Sequence, residues 1–370
     1  MSPGRVAFGL VGAGRIGQAY AAACRNSQEA YIAAVADPRT RAAQALAGEL
    51  GCPAFPGPAE MAGALALDAA LICTPPASHT AISLDLLGRG LAVLCEKPFA
   101  LDAASAKRMV EAARTAGTVL AMGSKFRYVD DIRHARRIVA SGILGEIVLL
   151  ENAFTSRIEM ANRWNSDPRL SGGGVLIDNG AHSVDIVRYL LGPITAVHAV
   201  AGKSVQQLAV EDTAHLLTRS ADGAMASIDL SWSLDKELAS YVVVYGSHGT
   251  LQVGWKESRY CQAGSSDWVV FGAGYDKMTA LRRQIDNFSR ALRGRELLLI
   301  EAEDAIASVE VIEAAYSSLR SNRWVPVTRG GAGDRQQAPG RDRGSAGQPG
   351  ARAEAGEAHS TGAAAGPTGL

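Results

Sequence analysis

The apolar run Val6–Val11 leads straight into Gly12-Ala13-Gly14-Arg15-Ile16-Gly17, and an alanine-rich stretch follows. A strand that ends on G-x-G-x-x-G and continues as a helix leaves few options beyond a βαβ unit built to face a phosphate. Gly12 permits the tight turn, Gly14 lets the backbone approach a pyrophosphate with no Cβ in the way, and Gly17 allows close helix–strand contact. Ala13, Arg15 and Ile16 share that loop, whose free amides and helix dipole favour an anion. Asp37 closes the second apolar run, 20 residues after Gly17. A carboxylate there accepts the ribose hydroxyls of an adenosine and repels a 2′-phosphate, which favours NAD; Arg39, two residues on, leaves NADP open. The bland alternative, a glycine turn and an Asp37 that caps a helix before Pro38, does not explain why strand, helix and acidic residue arrive together.

The pattern repeats through the first third of the chain. Apolar runs at 5–11, 31–36, 69–73, 92–95 and 119–122 alternate with helical stretches near 15–27, 39–50, 79–89 and 102–116, where Asp102 reads as an N-cap. Strands separated by helices indicate a parallel sheet covered on both faces. One more helix is expected over 129–141. From about 146 the strands lengthen and alternate, at 146–154, 196–201, 213–218, 224–232 and 240–245, with turns at Ser220–Gly223 and Gly246–Gly249. Helices are expected at 276–293 and 303–320. The fold class is therefore α/β: an N-terminal Rossmann dinucleotide-binding domain, 1–123, then an α+β domain, 124–328, with a large, mainly antiparallel open sheet. Residues 329–370 are Gly, Ala, Pro, Arg and Glu with almost no large apolar side chain, and are expected to be disordered.

Formal net charge is zero, which argues against a nucleic-acid partner. No apolar run is long enough to span a bilayer, and no secretion signal is expected at the N-terminus. The five cysteines are scattered, contain no C-x-x-C and read as reduced thiols, giving a cytoplasmic expectation and no metal site.

Three further stretches carry chemistry-bearing residues. Thr74-Pro75-Pro76-Ala77-Ser78-His79 follows the third apolar run of the parallel pattern, and Glu96-Lys97-Pro98 follows the fourth. Both lie where ligands collect, beyond the carboxyl ends of parallel strands. The third is Gly172-Gly173-Gly174-Val175-Leu176-Ile177-Asp178-Asn179-Gly180-Ala181-His182. Asp178 and His182, four apart, share one face of a helix. The triple glycine is expected to close against a ligand.

Taken together, the Gly loop, E-K-P after a strand and G-G-G-x-x-x-D-x-x-x-H resemble the glucose–fructose oxidoreductase / inositol dehydrogenase / rhizopine-catabolism family, over about residues 5–328. The resemblance implies a catalytic lysine at Lys97 and a substrate-facing pair, Asp178 and His182. It implies hydride transfer between a nicotinamide and a carbon bearing a hydroxyl. Such a step needs a base at the hydroxyl oxygen. His182 suits neutral pH, and Lys97 would donate to the same oxygen or share its proton; the sequence does not divide the roles. Thr74, Pro75, His79 and Glu96 are expected beside the cofactor. Family members often carry a basic pair facing the cleft near residue 125, but here Phe126 splits Lys125 from Arg127. Arg157, Arg163, Trp164, Asn165 and Tyr275 are further candidates for the substrate pocket.

The resemblance leaves the substrate open among sugars, sugar phosphates, nucleotide sugars and cyclitols, with Lys125, Arg127, Arg157 and Arg163 available to a phosphate. It implies a homodimer or homotetramer through the second sheet. A non-catalytic nucleotide sensor, or an oxidoreductase with a tightly held, recycling cofactor, are the alternatives.

Overall fold

The computed structural model describes residues 4–327. The expected disordered tail, 329–370, lies outside them.

The first sheet is built from β1 (Val6–Val11), β2 (Ala30–Ala36), β3 (Ala54–Phe55), β4 (Ala69–Ile72), β5 (Ala92–Glu96) and β6 (Leu120–Gly123). Its order is β3-β2-β1-β4-β5-β6, parallel throughout. The strands are short and apolar because both faces are covered. Between them run α1 (Arg15–Arg25), α2 (Thr40–Leu50), α3 (Pro58–Ala64), α4 (His79–Gly88) and α5 (Ala103–Ala116). Asp102 caps α5, accepting from the Ser105 amide at 2.7 Å, as its sequence position predicts. The strand order reverses between β1 and β4, so the loops after these two strands open a crevice.

A 3₁₀ turn over Lys125–Tyr128 leads to α6 (Asp130–Ala140) and β7 (Ile147–Thr155). After α7 (Pro168–Ser171) comes the long α8 (Val175–Leu191). Then follow β8 (Ile194–Ala201), β9 (Thr213–Ser220), β10 (Met225–Ser231), β11 (Ser240–Gly246), β12 (Gly249–Gly254), β13 (Ser258–Gln262) and β14 (Val269–Gly272). The chain ends with α9 (Lys277–Leu292), α10 (Ala302–Ser321) and β15 (Val325–Pro326). The second sheet has nine strands in the order β14-β13-β12-β11-β7-β10-β9-β8-β15. Every pair is antiparallel except β7 with β10. Four of its strands, β12 to β15, are not apparent in the sequence. β12 and β13 are flanked by glycine and polar turns, and β15 is only two residues long.

One face of this sheet is covered by helices. Ala226, Ile228 and Leu230 of β10 are buried, while Met225, Ser227 and Asp229 turn outward. Helix α8 lies on the covered face and buries Val175, Leu176, Val184 and Val187. Helix α9 returns to the first sheet, where Leu281, Ile285 and Phe288 join its core and the Phe288 ring sits 5.7 Å from that of Phe8. This swap of a covering helix ties the halves into one body and fixes how α8 faces the carboxyl ends of β1, β4 and β5.

Among the described residues no helix is long and apolar enough to cross a membrane.

Candidate active site

A cleft of about 1410 Å³ runs from the first glycine loop to the second sheet. Pockets for one drug-sized ligand span roughly 300–1,000 Å³, so this one has room for two ligands side by side.

At one end lies the turn after β1. Gly12 has φ +102, and a Cβ there would come within 2.8 Å of the Cys73 carbonyl, so no other residue fits without strain. Gly17 packs against the Gly12 carbonyl. A Cβ on Gly14 would meet only open space. Gly14 also caps α1 with no side-chain partner for the first amides, leaving donors for an anion. Asp37 accepts from the Ala13 amide at 2.8 Å and from the Arg39 side chain at 3.0 and 2.9 Å. These donors hold its carboxyl below the usual range against the effect of burial. Gly12, Gly14, Arg15, Ile16, Asp37, Arg39, Thr74 and Pro75 line this end. The free amides, the open approach over Gly14 and the buried carboxylate fit a dinucleotide.

His79 does not line the cleft. It is fully buried, and its ring nitrogens lie 2.9 Å from the Pro98 carbonyl and 2.8 Å from that of Thr74. It ties the loop after β4 to the loop after β5 from behind the cleft. Glu96, also buried, accepts from the Tyr20 hydroxyl at 2.7 Å and from the Lys97 amide at 3.1 Å, and burial raises its carboxyl.

The centre of the cleft is cationic. Lys97 Nζ donates to Asp178 Oδ1 at 2.6 Å and to the Asp178 main-chain oxygen at 3.1 Å. Asn165 holds the other carboxylate oxygen at 3.3 Å. One turn along α8, His182 Nε2 lies 3.1 Å from Lys125 Nζ. The His182 ring stands edge-on to Phe126 at 5.0 Å, and burial beside Lys125 and Lys97 lowers its basicity well below the ordinary histidine range. Four of the expected groups, Lys97, Asp178, His182 and Lys125, thus meet in one place.

Arg127 does not join them. It is buried behind the site, bonded to Asp185 at 2.7 Å and to Asp304 at 2.8 Å. Asp185 also accepts from Ser124 at 2.6 Å. Asp178, His182 and Asp185 fall on one face of α8, so the helix that carries the histidine is itself tied to the Lys125 turn through Asp185. The sequence carries this signal, since Asp185 follows His182 by three residues, but it gives no hint that Arg127 turns inward. Arg157 is exposed outside the cleft between two lining residues, Ser156 and Ile158. Tyr275 stacks on Phe126 at 5.3 Å and backs the wall rather than lining it. Arg163, Trp164 and Asn165 do line the cleft.

Much of the far wall is aromatic. Phe154, Trp232 and Trp255 line it, with Trp255 packed on Tyr241 at 4.5 Å. Lys277, the first residue of α9, lines it as well. Sequence reading missed the three aromatic residues because they come from strands and loops far apart in the chain.

The triple glycine serves packing rather than closure on a ligand. A Cβ on Gly173 would overlap the Tyr316 hydroxyl, and one on Gly174 the Glu211 carbonyl. The Glu211 carboxylate accepts from the Gly174 and Leu176 amides at 3.0 and 3.1 Å and from Tyr316 at 2.8 Å, satisfying the start of α8. Among the described residues no three His, Cys, Asp or Glu side chains gather as a metal-binding group.

Residues 6–124 match an oxidoreductase family with an NAD-binding Rossmann fold, and residues 132–252 match the GFO/IDH/MocA C-terminal domain. The rhizopine catabolism protein MocA of Rhizobium meliloti is 31% identical over 319 residues, covering 85% of this chain and 95% of its own. Inositol 2-dehydrogenase of Rhizobium meliloti (strain 1021) is 28% identical over 338 residues, covering 87% and 99%. A levoglucosan dehydrogenase solved with NADH superposes with a TM-score of 0.82 at 18% identity, over 88% of this chain and 100% of its own, a likeness of fold.

Proposed function

The chain belongs to the GFO/IDH/MocA oxidoreductase family, and on that premise we propose that it moves a hydride between NAD and a secondary alcohol or ketone of a neutral sugar, polyol or cyclitol. The observation that carries this reading is the meeting of Lys97, Asp178, Lys125 and His182 in the same cleft as the Gly12–Gly17 loop.

When bound, the nicotinamide supplies the acceptor for the hydride and its electron pair. The protein's residues do the rest. Gly12, Gly14, the start of α1 and Asp37 hold the dinucleotide. The Lys97 ammonium, fixed by Asp178, donates to the alcohol oxygen and stabilises the negative charge that grows there. His182 faces the same oxygen within hydrogen-bonding reach, and the aromatic wall excludes water and carries the apolar face of a ring.

A neutral substrate is favoured over a phosphorylated one. Of the four cations available to a phosphate in the sequence, Arg127 is spent on Asp185 and Asp304, and Arg157 is outside the cleft. NAD is favoured over NADP because Arg39 is engaged by Asp37.

The outer face of the second sheet exposes Val200, Leu217, Met225 and Tyr245, and an apolar patch of this kind supports assembly into a dimer or tetramer through that face. A monomer by light scattering would refute the assembly.

The test is a panel of sugars, sugar phosphates, nucleotide sugars and cyclitols with NAD and with NADP, followed by reduced-nicotinamide absorbance. Turnover of an unphosphorylated polyol or sugar with NAD is expected. Turnover confined to phosphorylated or nucleotide-linked sugars would overturn the substrate class, and no turnover with any would overturn the reading.

A further inference from the structure

Three nitrogen bases crowd the centre of the cleft, and only one of them has a carboxylate of its own. Lys97 is paired with Asp178 at 2.6 Å. Among the described residues Lys125 Nζ makes no hydrogen bond or ion pair to a carboxylate: it meets the His182 ring at 3.1 Å and lies over the Phe126 ring at 4.6 Å. The charged groups that face it are Glu96 at the end of β5, Lys97 just after it, Asp178 from α8 and Lys277 from α9.

The other nitrogen of His182 decides the direction of that contact. Nδ1 is buried with no hydrogen-bond partner among the described residues. Were the imidazole proton on Nδ1, a buried N–H would be left without an acceptor, a costlier orphan than the unfilled ring lone pair that the other tautomer leaves there. With the proton on Nε2, the N–H donates to Lys125, and Lys125 must then be a neutral amine with its lone pair toward the ring.

We propose that the neutral amine of Lys125 is the base that takes the substrate's hydroxyl proton, while Lys97 and the Nε2–H of His182 hold the oxygen. This rests on the dehydrogenase reading above and divides the roles within it. In the oxidation, the alcohol oxygen replaces the amine as acceptor of the His182 N–H. That frees the Lys125 lone pair. The O–H bond breaks, an N–H bond forms on Lys125, and the C–H pair leaves as hydride to the oxidised nicotinamide, giving ketone, reduced cofactor and an ammonium at 125. Burial and the neighbouring Lys97 push the Lys125 amine down to about 7, so it is available as a base at neutral pH.

Two measurements test this. The first needs no substrate: pH-dependent acetylation of the intact protein, read residue by residue by mass spectrometry. Lys125 is expected to reach half-maximal reactivity near pH 7, and a midpoint above about pH 9, close to that of a free lysine, would overturn the proposal. The second compares wild type with Lys125→Met. Wild-type kcat/KM should rise with pH through about 7. The variant should lose ~10²–10⁴-fold in kcat together with that acid limb, with NAD affinity by fluorescence titration unchanged. A variant that keeps a tenth of wild-type kcat, or keeps the limb, overturns the proposal. Failure of wild type to oxidise any sugar, polyol or cyclitol instead defeats the dehydrogenase reading, whatever the labelling midpoint.

Discussion

The Lys97 ammonium stands 2.6 Å from Oδ1 of Asp178 and 3.1 Å from the same residue's main-chain oxygen. A lysine at the end of a Rossmann strand is thus oriented by the first turn of a helix in the second half of the chain. Substitution of Lys97 by Ala is expected to lower kcat by ~10²–10⁴-fold, the usual contribution of an acid–base or charge-stabilising group. NAD affinity should change little, because the Gly12–Gly17 loop and Asp37 are untouched. Steady-state kinetics and a cofactor titration on the same preparation check both halves. A variant with more than a tenth of wild-type turnover would remove Lys97 from the chemistry.

Cofactor choice turns on Asp37 and Arg39. The carboxylate holds Arg39 by two side-chain hydrogen bonds, and the Arg39 side chain is 68% exposed. Replacing Asp37 with Ser removes the ribose acceptor and frees the guanidinium for a 2′-phosphate. The ratio of kcat/KM for NAD over NADP is expected to fall by at least about tenfold, the worth of one good polar contact at ~1.4 kcal/mol. An unchanged ratio would contradict the placement of Asp37.

The Arg127–Asp185 pair is almost completely enclosed, with side-chain exposures of 5% and 0%. Breaking such a pair leaves one buried charge uncompensated and costs about 3–5 kcal/mol. Asp185→Asn is expected to lower stability by an amount of that order in urea unfolding. Because Asp185 also accepts from Ser124 beside Lys125, kcat should fall more than KM rises. A variant as stable as wild type would show that the network contributes little.

His182 gives a stability signature in acid. Its folded-state basicity is depressed by burial and by Lys125 and Lys97, so the unfolded chain takes up a proton near pH 6.5 that the folded chain refuses. The unfolded state binds more protons in that window. The stability tied to a neutral His182 is therefore present above about pH 6.5 and is lost as pH falls below it. In His182→Gln the decline of Tm from pH 7 to pH 5 should be shallower than in wild type. A parallel decline would mean that His182 titrates normally.

The Rossmann half was legible because each of its signals is local: an apolar run, three glycines at fixed offsets, an aspartate at a strand's end. Lys97, Asp178 and His182 were legible as motif residues for the same reason. Arg127 was not. It shares a 3₁₀ turn with Lys125, and at about three residues per turn positions two apart point to different sides, so one reaches the cleft and the other the buried ion pair. Trp232 and Trp255 escaped because only the pairing of distant strands brings them to the wall. Gly173 and Gly174 were read as a closing loop, although the atoms that demand glycine, the Tyr316 hydroxyl and the Glu211 carbonyl, lie far along the sequence.

The most direct measurement uses a turned-over sugar or cyclitol deuterated at the carbinol carbon and reads the reduced cofactor by mass spectrometry. The account predicts that the deuterium appears in the nicotinamide with wild type and that label transfer falls at least about a hundredfold with Lys97→Ala. Reduced cofactor without the label, or equal transfer by the variant, would contradict it.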